Sequence, residues 1–175
     1  MDAACRFSQR TKSLPSIRRT GQSAILGVAL TILALGTVHA DPIEDRSREL
    51  LLWVADETGY DLGGTSVTIV VVEPKVINIV AHGTAYVDQM DKTAMAIGSA
   101  ILLPDWFELG RHDDVLVHEL THVLQHTNNA QFRCHGEQER EAYETAAAFT
   151  EQTGIGTKPS RWFMVMLRCI PNWKD

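Results

Sequence analysis

The stretch from Asp113 to His126 constrains this chain more than any other. It reads Asp-Asp-Val-Leu-Val-His-Glu-Leu-Thr-His-Val-Leu-Gln-His. At its centre, His118 and His122 stand four residues apart, with Glu119 directly after the first. On an α-helix each residue turns by about 100°, so the two histidines point within roughly 40° of each other. They lie about 6 Å apart along the axis, near enough to share one metal ion. Glu119 flanks the same face and can reach a water on that ion. Zinc suits such a set, because it takes nitrogen and oxygen ligands and keeps one position for water in reactive sites. The ion brings the water's pKa to about 7, and the glutamate accepts its proton. The competing reading is a buried helix that carries two histidines by coincidence. The surroundings favour the metal. Val115, Leu116, Val117, Leu120, Val123 and Leu124 make an apolar helix that would dehydrate and orient a site, and Asp113 and Asp114 suit the positive end of its dipole.

With these residues the chain resembles the zincin metallopeptidases. The string His-Glu-Leu-Thr-His-Val-Leu-Gln over 118–125 is similar to small bacterial zincin domains of the minigluzincin kind. The metzincin pattern is excluded, because Gln125 and Asn128 stand where it needs glycine and histidine. The gluzincin branch takes a third ligand from a glutamate on a later helix, often written E-x-x-A-D. Glu139-Arg140-Glu141-Ala142-Tyr143 resembles it but has Tyr143 in place of the aspartate that orients a zinc histidine. The residues themselves offer Glu137, Glu139, Glu141 and Glu144. A helical wheel puts Ala142, Tyr143, Ala146 and Thr150 within about 60° of Glu139, at the centre of an inward stripe. Glu137, Glu141 and Glu144 fall about 140–160° away, with Glu151, and read as a solvated face. Both arguments select Glu139.

The chain has 175 residues, enough for one domain. Residues 1–40 read as a signal peptide. Arg6, Arg10, Lys12, Arg18 and Arg19 are basic, Ser23 to Val38 is an apolar run, and Val38-His39-Ala40 marks cleavage before Asp41. A membrane anchor is the alternative, but a run of about 16 residues is short of the ~20 that span. Arg18-Arg19 hints at twin-arginine export. Residues 41–175 carry eleven Lys and Arg against twenty-one Asp and Glu, a formal charge of −10. That charge excludes nucleic acid and anionic lipid as natural partners. Cys134 and Cys169 remain after cleavage, and an even count in an exported chain predicts a disulfide. Cys134 as a fourth zinc ligand is the rival, but it would close the site.

Periodicity predicts a helix over 43–58 and a buried strand over 65–72, stopped by Pro74. The apolar run 76–80 has no assignable type, and a polar loop carries Asp88 and Asp91. A strand over 93–103 follows, stopped by Pro104. Resemblance to zincins makes 98–103 the edge strand along the cleft, where an extended substrate would pair; an interior strand is the alternative. After the metal helix and a loop over 127–131, helices are expected over 136–153 and 161–170. Trp162 to Leu167 are so apolar that they read as core. His39, His82, His112, His126 and His135 read as surface or structural. Tyr143, Tyr86 and His112 are candidates to stabilise an oxyanion.

The expectation is an exported α+β protein, periplasmic or secreted and monomeric, with one zincin-like domain over 41–175. A small mixed sheet would pack on the metal helix and the glutamate helix. The resemblance implies a zinc peptidase acting on a peptide or protein, with His118, His122 and Glu139 on Zn²⁺ and Glu119 as general base. The alternatives are a metal-binding or partner-binding domain without turnover, and an amidase acting on cell-wall peptides.

Overall fold

The computed structural model describes residues 41–82 and 94–169. The expected signal peptide and the loop with Tyr86, Asp88 and Asp91 lie outside them. The described residues form five helices and three strands: α1 (Asp41–Thr58), β1 (Thr68–Val72), α2 (Pro74–His82), β2 (Met95–Ile97), β3 (Ala100–Pro104), α3 (Asp113–Thr127), α4 (His135–Thr153) and α5 (Arg161–Met166). The class is α+β, as expected.

Helix α3 is the axis of the fold. Leu116, Val117, Leu120, Val123 and Leu124 are all fully buried, because the helix is apolar nearly all round and must be covered on every side but one. Leu50, Leu51 and Val54 of α1, Ile101 and Leu103 of β3, and Ala146 and Phe149 of α4 close around it in one core cluster. Trp53 of α1 meets Phe149 edge-on at 5.3 Å. Asp113 does more than complement the helix dipole. It is fully buried, takes Arg46 Nη2 of α1 at 2.7 Å and accepts the Gly110 N–H at 2.8 Å. The start of the metal helix is thereby clamped to α1.

The sheet has the order β1-β3-β2, with β1 parallel and β2 antiparallel to β3. It is mixed, and it packs against α2 and α3. Two expectations change here, and one open assignment is filled. The single strand over 93–103 is a hairpin, since Ile97 pairs with Ala100 across Gly98 and Ser99. Gly98 has φ +60, which a two-residue turn of this kind requires. The strand beside the cleft is therefore β2, and β3 is the central strand, with residues 100–102 paired on both sides. Strand β1 is an edge on which only Val70 is buried, so its β-branched run is not an interior strand. The run 76–80 is helical, because Pro74 opens α2 at a first-turn position where its missing N–H costs nothing.

The C-terminal region departs most. Helix α5 is short, and none of its residues is buried; Trp162 is 72% exposed and Met166 61%. The expected core role is wrong for this segment. One of its anchors is covalent: Cys134 and Cys169 form the expected disulfide.

Candidate metal centre

Helices α3 and α4 run antiparallel, bringing Gln125 to Gln138, His122 to Glu139 and His118 to Tyr143. Their facing sides and β2 line a cleft of about 490 Å³. At its floor His118, His122 and Glu139 form a triad that can hold a metal ion. His118 Nε2 and His122 Nε2 are 3.1 Å apart. Glu139 Oε2 lies 3.4 Å from the first, and Glu139 Oε1 lies 3.3 Å from the second. Donor atoms bound at about 2.0–2.1 Å to one tetrahedral ion lie about 3.3 Å from one another. The side chains fit such an ion, and of the four glutamates it is Glu139 that stands with the two histidines. No sulfur joins the set, because Cys134 is in the disulfide.

The two histidines are supported differently. Gln125, 2% exposed, donates through Nε2 to Gln138 O at 3.1 Å and to Glu141 Oε2 at 2.8 Å. Its Oε1 must then accept from His122 Nδ1, 2.8 Å away. That bond selects the tautomer whose Nε2 lone pair faces the triad. His118 Nδ1 is buried and has no hydrogen-bond partner among the described residues. Tyr143 lays its ring against His118 at 4.3 Å and 60°.

Glu119 is buried at 7% exposure and borders the cleft. Its Oε2 accepts the Ala96 N–H at 2.7 Å. The hairpin register explains the donor. Ile97 and Ala100 close the turn, so Ala96 takes the next, non-bonded position and turns its N–H away from β3. Burial raises the proton affinity of Glu119, and Glu139 adds to this, against the opposing pull of both histidines and the Ala96 N–H. Burial also pushes Glu139 upward, but hydrogen bonds and charge from His118 and His122 outweigh it and hold that carboxyl well below the usual range. His122 is shifted the other way: burial lowers its pKa, and contacts with Glu139, Glu119 and Gln125 raise it overall. The Tyr143 hydroxyl is pushed up by burial and by Glu139 and Glu119.

Several participants went unread in the sequence. Glu141 is only partly solvated; it accepts from Gln125 and from Tyr60 Oη at 2.9 Å. Helix α4 has two covered sides, and the wheel accounted for one. His135 borders the cleft, with Nε2 3.4 Å from Glu139 Oε1, and His126 borders it too. Position offered a signal for both, since each stands one turn from a triad residue on its own helix. His112 is absent from the cleft lining. It accepts the Glu108 N–H through Nδ1 and packs on Trp106 and Phe107, so it orders the turn before α3. Tyr86 lies outside the described residues.

Residues 39–175 match a protein family described as a domain of unknown function (DUF6647). The chain belongs to the DUF6647 family. No curated protein and no solved structure matches it. Family membership thus brings no activity with it, and what this DUF6647 domain offers to chemistry is the triad and its neighbours. Among the described residues no helix is long and apolar enough to cross a membrane. The disulfide fits an oxidising compartment outside the cytoplasm.

Proposed function

We propose that this chain is an exported zinc-dependent peptidase. In this reading His118, His122 and Glu139 hold the ion and Glu119 is the general base. One observation carries it: a buried carboxylate stands beside three side chains that can share one metal ion, and all four line one cleft. A bound zinc ion would supply a water of pKa about 7 and polarise a scissile carbonyl. Glu119 takes the proton. The Ala96 N–H fixes its Oε2, which leaves Oε1 for that transfer, and burial makes the carboxylate a better base than one in water. Ala96 also serves substrate binding. Its carbonyl turns outward with its N–H, so a peptide extended along β2 finds an acceptor there, with affinity that depends little on sequence. The resemblance to gluzincins supports the same assignment. Export rests on the signal-like residues 1–40 and on the disulfide, with residues 41–175 as the working domain.

The alternative is a metal-binding or partner-binding domain without turnover. The intact Glu119 argues against it, because a structural site does not need that carboxylate. Glu119→Gln keeps the shape and removes the base. Metal analysis of the variant should find the parental metal content, and digestion of a peptide library should fall by at least the 10²–10⁴-fold typical of a lost general base. Parental cleavage by the variant would remove Glu119 from the mechanism. A wild-type protein that holds metal and cleaves nothing would favour the alternative.

A further inference from the structure

We propose that residues 155–169 act as a clasp on the metal centre, with Phe163 and Tyr143 as positioning residues for His118. This rests on the metal-binding reading of the triad. A metal-ligating histidine ordinarily donates its second ring N–H to a carboxylate, carbonyl or water, and that bond sets the ring. His122 has such a partner in Gln125. His118 Nδ1 is buried without one among the described residues. Its ring is set by packing instead. Tyr143 meets it at 4.3 Å, and Phe163 meets Tyr143 edge-on at 4.8 Å and 83°. The support of the first ligand thus ends on α5.

Burial does not fix α5, because its outer face of Trp162, Val165 and Met166 is exposed. Three anchors fix it, and each reaches a ligand-bearing helix. The Thr157 N–H donates to Asp114 Oδ2 at 3.0 Å, one turn before His118 on α3. The Leu167 carbonyl lies over Gly136, where an added Cβ would stand 2.6 Å from its oxygen, one turn before Glu139 on α4. A Cβ on Gly156 would likewise collide with the Asp114 carboxylate. Both approaches are so close that only glycine permits them. The Cys169–Cys134 bond is the third anchor, at the N-cap of α4. Thr157 and Pro159 meanwhile form part of the cleft wall. The clasp therefore holds His118 through a ladder of aromatic rings and ties that ladder covalently to the helix that carries Glu139.

The test is metal affinity, read without any substrate. Zinc and cobalt(II) are titrated into the exported protein in competition with a chromogenic chelator, and the visible cobalt(II) bands report the ligand field. Phe163→Ala and the double variant Cys134→Ser/Cys169→Ser should bind about 10–100-fold more weakly, the usual effect of losing a residue that orients a metal ligand. The cobalt(II) bands of Phe163→Ala should change as His118 loosens. Phe163→Tyr and Tyr143→Phe keep the rings and should keep the affinity. Trp162→Ala, on the outer face of the same helix, should bind as the parent does. If Phe163→Ala binds with parental affinity and an unchanged spectrum, the clasp is wrong, whatever the disulfide variant does. If the parent itself binds neither ion, the metal reading fails first and the clasp falls with it.

Discussion

The His122 side and the His118 side of the centre are built from different materials. His122 is held by a polar network at the middle of the fold: Gln125 on α3, Gln138 and Glu141 on α4, and Tyr60 beyond the end of α1. Every member has a partner, which is the condition for such a network to rigidify a core. His118 is held by rings that lead outward to an exposed segment, and the fixed point of that segment is a disulfide. One side is as stable as the core around α3. The other is as stable as a short covalent strap. Two histidines on neighbouring turns of one helix can thus depend on different parts of a protein, and perturbations should separate them.

The residue common to both sides gives the largest effect. Glu139 touches both histidines, so Glu139→Ala should abolish tight metal binding. Differential scanning calorimetry would show this directly. Ligand at 100–1,000 times its Kd stabilises a native state by about 2.7–4.1 kcal/mol. Added zinc should raise the melting temperature of the parent and leave that of the variant unmoved. An equal zinc-induced rise in both would remove Glu139 from the ligand set.

The next two effects pull the sides apart. Breaking the disulfide by Cys134→Ser/Cys169→Ser should cost about 3–4 kcal/mol, from a sequence separation of 35 residues in the chain-entropy model. Gln125→Leu should cost less, about 1–3 kcal/mol, because it takes the acceptor away from His122 Nδ1 and leaves Glu141 with only Tyr60. Hydrogen exchange locates the damage. The disulfide variant should lose protection in 155–169 and spare α3, whereas Gln125→Leu should lose it where α3 meets α4. Identical exchange patterns would show that the two supports are one unit.

The sequence made some of this legible and hid the rest for physical reasons. Helix α3 was readable because its motif and its apolar neighbours agree on one period. Glu139 was readable because only one of four glutamates shares a stripe with Ala142 and Ala146. The disulfide followed from the signal-like first 40 residues and an even cysteine count after them. The hairpin was missed although Gly98-Ser99 is a hairpin signal, because β2 has three residues and too few positions to show alternation. Pro74 was read as a strand stop when it is also a helix start, and the residue alone does not distinguish the two. The run Trp162–Leu167 was read as core because apolar residues usually need burial to stay in place. Here a covalent tether does that work, and hydropathy carries no trace of it. Glu141 was assigned to solvent because its partners, Tyr60 and Gln125, come from distant parts of the chain.

The smallest expected effect tests the far end of the polar network. Tyr60 Oη donates to Glu141 Oε2 at 2.9 Å. Burial, then that hydrogen bond and the carboxylate's charge, push the Tyr60 hydroxyl above its ordinary value of 10.0. A folded-state pKa raised above the unfolded one means that the native state favours the protonated phenol. The resulting stability is fully present below about pH 10 and is lost as pH rises through the folded value. Tyr60→Phe removes the hydroxyl, so the variant should be about 1 kcal/mol less stable than the parent at pH 7, the typical net worth of one hydrogen bond. Above pH 10 the parent should lose stability faster than the variant and the gap should narrow, because the variant has no phenol there to titrate. Paired urea melts at pH 7 and pH 10.5 measure this, and titrations shared by both proteins cancel in the difference. Zinc affinity should hardly change, because Gln125 keeps its bonds to His122, Gln138 and Glu141 when Tyr60 is cut away. A variant that loses affinity as Gln125→Leu does would extend the support of His122 to the end of α1. A gap that stays constant through pH 10.5 would mean that the hydroxyl does not couple to Glu141.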